Sequence, residues 1–199
     1  MTSLNNMPTA HAKWSFIKKN YTQLDSKVID TLNRFQFRYR LALSFNSISV
    51  EGAGTKTEKG YTAFMKLFLA HSAYDVIRGA EKILTNTRGL RIHYIENEKK
   101  LANSLRENKK LKELFLNGNA IENETLRENL LRFYASRSDD ILCVATAARN
   151  SFAHGTLTAS VAGLSINAKV NDIEKLAQKI TSLSDDIFTK CLYKISNID

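Results

Sequence analysis

The chain has 199 residues, of which 43% are hydrophobic and 25% charged, and its formal net charge is +9. Such a length and composition suit one folded domain and argue against wholesale disorder, and no stretch approaches the uninterrupted apolar length of a membrane span. The excess of lysine and arginine lies in residues 1–120, while residues 121–199 are close to neutral, so a polyanion such as RNA or DNA is the partner that the charge suggests, with simple solubility as the alternative.

A single proline and eight glycines leave few places where a long helix must stop, which points to an all-α fold. Residues 1–14 are polar, carry the proline and lack periodicity, and read as a loose leader ahead of one helical domain over 15–199. No apolar leader core is readable there. From Ser15 to Ser47, apolar residues at Leu24, Val28, Leu32, Phe35, Tyr39, Ala42 and Phe45 fall on one face of a long helix. The following EGAGTKTEKG is not a phosphate loop: Thr55 separates Gly54 from Lys56, and the segment follows a helix rather than a strand.

A second helix is expected over about 60–84, with His71 on its apolar side as a packed core residue and NTRG (86–89) as its stop. A third, about 92–117, is rich in charge. Its Lys99, Lys100, Lys109 and Lys110 are candidate RNA contacts, although such charge more often marks a solvated face. His93 is a weaker RNA-contact candidate. A short helix over 121–135 follows, and Ser138 then reads as the N-cap of a helix running to His154 and Gly155. Alternating apolar residues from Leu157 to Val170 around Ala162-Gly163 suggest a small β-hairpin. Asn171 with Glu174 reads as the capping box of the last helix. Cys143 and Cys191 form no zinc spacing and read as buried thiols of a reducing cytoplasm, with no metal or cofactor implied.

The helix ending in RNSFAHG (149–155) carries the sharpest signal. On a wheel at 100° per residue, Ile141, Val144, Ala145, Ala148 and Phe152 face one way. Cys143, Ala147, Asn150 and His154 face the other. A face of such small residues is expected to admit a second copy of the chain, making Cys143 and Ala147 a homodimer interface. Arg149, His154 and Gly155 can be read as a dipole-complementing helix end. They can also be read as acid–base and charge-neutralising groups acting on a phosphate.

Arg149-Asn150-Ser151-Phe152-Ala153-His154 resembles the R-x4-6-H motif of HEPN domains, and its wording is similar to that of HEPN proteins of toxin–antitoxin and phage-defence systems. The resemblance implies a helical bundle with two long antiparallel helices. It further implies a metal-independent endoribonuclease of single-stranded or looped RNA, acting as a dimer whose motifs share a composite site. Arg149, Asn150 and His154 would be its catalytic residues, and an antitoxin or nucleotidyltransferase would be a fitting partner. The alternative within the family is a non-catalytic module that binds RNA or protein.

Overall fold

The computed structural model describes residues 10–20, 25–86, 90–117, 123–159 and 167–196. Its helices are α1 (Ala10–Asn20), α2 (Ser26–Ser44), α3 (Thr55–Thr85), α4 (Lys99–Glu107), α5 (Lys109–Asn117), α6 (Glu124–Tyr134), α7 (Leu142–Ala153) and α8 (Asn167–Ser196). Among the described residues there is no strand.

The central element is α3. Its buried residues include Ala63, Ala70, Ala73 and Ala80 beside Phe64, Leu67, Tyr74 and Ile77. Alanine lets neighbouring helices approach closely, while the larger side chains fill the space between contacts. This helix packs chiefly against α8, then α2, then α7. Asn86, left-handed at φ 51°, ends it and bonds back to Ile83 O at 3.2 Å, as the NTRG signal suggests; Gly89 lies outside the described residues.

The long helices pair in both directions. α2 runs antiparallel to α3: the two are joined by residues 45–54, and Arg38 Nη1 donates to Ser72 Oγ at 2.9 Å. The two longest helices, α3 and α8, run parallel. Lys66 and Glu174, both in the first halves of their helices, pair at 2.6 Å, and Cys191, late in α8, feels the charge of Glu81, late in α3.

Several boundaries move. The leader is not loose throughout: from Ala10 the chain is helical, with Trp14 and Ile17 buried and Trp14 Nε1 donating to Asn33 Oδ1 at 2.9 Å. Residues 1–9 lie outside the described set. The expected third helix is two, divided at buried Asn108, whose Oδ1 accepts from Leu111 N to start α5. Residues 90–98 before it are irregular. Ser138 does not cap α7, whose N-cap is Ile141; Asp140 Oδ1, one residue earlier, accepts from Leu142 N at 3.0 Å. The proposed hairpin is overturned at its second arm, because Ala168 and Val170 belong to α8, which starts at Asn167 rather than at Asn171. Its turn lies outside the described residues.

Candidate active site

The cluster around α7 begins with how the helix is held. Its first turn is fixed by Asp140, and Ile141 N donates to Ile95 O at 3.1 Å. Its last turn closes in a Schellman motif: Gly155 N bonds to Phe152 O at 3.1 Å and Thr156 N to Ser151 O at 2.9 Å, with Gly155 at φ 72°. Gly155 therefore has a sufficient reason in backbone geometry alone.

Arg149 reaches sideways from α7 to α3. Its Nη2 donates to Asp75 Oδ2 at 3.1 Å, its Nη1 donates to Asn150 Oδ1 at 2.9 Å, and its guanidinium lies 5.8 Å from the centre of the Phe68 ring. Burial pushes the Asp75 carboxyl up, but His71, Arg149 and Arg78 together hold it below the ordinary carboxylate range. Behind it stands His71, buried as expected but not merely packed. Its Nδ1 is 3.3 Å from Asp75 Oδ2, off the line of a well-formed hydrogen bond, and its Nε2 is 3.1 Å from Thr146 Oγ1. Thr146 Oγ1 is placed at 2.9 Å to donate to Leu142 O, so in this arrangement His71 Nε2 carries the donated proton.

His154 is exposed at the C-cap and makes no side-chain hydrogen bond or ion pair among the described residues. The structure thus sets Arg149 and Asn150 in one hydrogen-bonded group, with His154 free at the edge of the same helix end. Asp75 and Thr146 are functional candidates that sequence reasoning missed. The His71–Asp75 spacing of four residues on a helix was an available signal. The Asp75–Arg149 contact, 74 residues apart, was not.

The proposed dimer face is corrected. Cys143 and Ala147 are 5% and 0% exposed within the single chain, so neither is open to a second copy. Burial raises the Cys143 thiol to about 12, so it stays protonated at neutral pH. Lys99, Lys100, Lys109 and Lys110 are exposed in the first turns of α4 and α5, and none contacts Arg149, Asn150 or His154. Instead, α4 is tied to the opposite end of α7, where Arg106 Nη2 donates to Ser138 O and to Asp139 Oδ1 at 2.6 Å. His93 is occupied by Glu81 at 2.8 Å and meets the edge of Tyr74.

Among the described residues no group of three or more His, Cys, Asp or Glu converges as a metal-binding set, and no helix is long and apolar enough to cross a membrane. Comparison with protein-family models, with curated proteins and with solved structures finds no match to this chain.

Proposed function

We propose that this protein is a metal-independent endoribonuclease of HEPN type, cleaving single-stranded or looped RNA through attack of a ribose 2′-OH on the adjacent phosphorus. The observation that carries the reading is the pairing of a half-buried, pre-oriented Arg149 guanidinium with an exposed, uncommitted His154 one turn further on. Asp75 and Asn150 hold two arms of the fork, so the cation meets a phosphate with little reorganisation. His154, as a neutral imidazole, takes the 2′-OH proton. The 2′-oxygen then bonds to phosphorus and the bond to the 5′-oxygen breaks. That oxygen leaves protonated by an imidazolium, supplied in a dimer by His154 of the second copy. The products are a 2′,3′-cyclic phosphate and a 5′-hydroxyl.

The test is cleavage of mixed RNA in EDTA, with wild type beside His154→Ala. Wild type should cleave, require the 2′-OH and leave the cyclic phosphate or its hydrolysis product. The variant should lose at least about a hundredfold in rate, the lower range for an acid–base group, with its thermal midpoint unchanged. Equal cleavage by both would end the proposal. Failure of wild type to cleave while still binding RNA would instead select the non-catalytic module.

A further inference from the structure

We infer that the cavity bounded by α3, α6, the start of α7 and the segment 90–98 is a nucleobase pocket, and that the base it selects is guanine. The cavity holds about 370 Å³ and is lined by Tyr74, Arg78, Ile92, Tyr94, Asn129 and Asp140 among others. That size is within the ordinary range of small-ligand sites, roughly 300–1,000 Å³.

Three polar groups around it each have an atom with no hydrogen-bond partner among the described residues, and of these atoms Arg78 Nε is cut off from solvent. Tyr74 is 2% exposed, yet its hydroxyl makes no hydrogen bond among the described residues. Asp140 is 6% exposed; its Oδ1 accepts from Ile95 N and Leu142 N at 2.9 and 3.0 Å, while its Oδ2 accepts from nothing described. Arg78 donates through Nη2 to Arg91 O, but its buried Nε is unpartnered. One wall therefore offers a carboxylate oxygen beside a phenol and a guanidinium.

The rim supplies the complementary feature. Ile92 and Tyr94 are 65% and 57% exposed, although both are large and apolar in body. They are not on a loose segment. Glu81 holds His93, Arg78 holds Arg91 O, Asp140 holds Ile95 N, and Lys179 pairs with Glu98. An exposed aromatic on an anchored segment, lining the same cavity as unpaired donors and an acceptor, suits a flat ligand that stacks and is read along its edge. Guanine presents two adjacent donors, N1–H and the N2 amine, to the Asp140 oxygen, and the acceptors O6 and N7 to Tyr74 and Arg78. Each of the other common bases offers a carboxylate a single donor group.

The pocket also joins the candidate active site. Thr146 lines the cavity and touches His71, and Arg149 lies three residues further along α7, about 4.5 Å along its axis. A strand whose guanine is seated here brings a neighbouring phosphodiester to Arg149. That last step rests on the ribonuclease reading; the base pocket does not.

Calorimetric titration with GMP, AMP, CMP, UMP and inosine monophosphate tests the proposal. GMP should bind at least about tenfold tighter than the other common nucleotides, and inosine monophosphate, lacking the N2 amine, should bind more weakly than GMP. Asp140→Asn keeps an oxygen for Ile95 N and Leu142 N but should abolish the preference for GMP. Tyr94→Ala, at an exposed position, should weaken GMP about tenfold with an unchanged thermal midpoint, and Tyr94→Trp should restore it. Equal binding of all nucleotides, no binding at millimolar GMP, or an unaffected Tyr94→Ala would overturn it. An all-2′-deoxy tetranucleotide with one guanine separates the sources. Competition with GMP places a strand in the pocket, and absence of competition overturns the strand step. Since no arm requires cleavage, the ribonuclease reading can fail without disturbing this result.

Discussion

At its N-terminal end α7 is enclosed: Asp140 bridges Ile95 and Leu142, Arg106 clamps Ser138 and Asp139, and Cys143 and Ala147 are buried. At its C-terminal end the same helix stands in solvent, with Ala153, His154 and Gly155 exposed and the backbone turned by a single left-handed glycine. The enclosed end is suited to recognising a small rigid group, because its polar atoms are fixed before a ligand arrives. The open end leaves Ala153, His154 and Gly155 accessible to a larger partner. Arg149 sits at the boundary, anchored on the closed side by Asp75 and only half covered.

The strongest way to break this contrast is Ala147→Glu. If the enclosed half of α7 is core, the change buries a charge without a partner and should cost about 3–5 kcal/mol, seen as loss of cooperative thermal unfolding. A folded monomer with wild-type stability would mean that Ala147 faces a partner after all. Gly155→Ala probes the open end and should cost only about 1–2 kcal/mol, a midpoint shift of a few degrees, from left-handed strain alone, since no atom obstructs the added carbon. A larger loss would show that this end is more tightly packed than its exposure indicates.

The smallest effect concerns the boundary. Asp75 has a depressed pKa, so its contribution is present above the ordinary carboxylate value near 3.9 and is lost as pH falls through its lower folded value. Asp75→Asn should therefore lie below wild type in thermal midpoint at pH 6, with the gap closing below about pH 4. A constant gap across that range would assign the effect to packing rather than to charge.

Periodicity made the main helices legible, because one buried face leaves an apolar stripe in α2, α3 and α8 whatever covers it. A wheel shows which residues share a face but not what lies against it. Cys143 and Ala147 fall on one side of the wheel, but both are buried within the single chain rather than open to a second copy. Asn108 breaks a helix by capping the next one, an effect weaker than proline and hidden in a charged run. The motif at 149–154 stands out in the sequence; its anchor on Asp75 does not, because only the fold brings α3 to α7.

The parallel run of α3 and α8 also sets an order of events for the newly made chain. Parallel neighbours cannot be joined by a tight turn, and Lys66 and Glu174 are 108 residues apart, against 34 for Arg38 and Ser72 in the α2–α3 pair. Closing a longer loop costs more chain entropy, and contacts of high sequence separation form slowly. The α2–α3 hairpin is thus the natural early unit, and α8, made after the other described helices, closes the side of α3 that carries its most extensive contact. Until Asn167–Ser196 has been made, the side of α3 that packs against α8 lacks that cover.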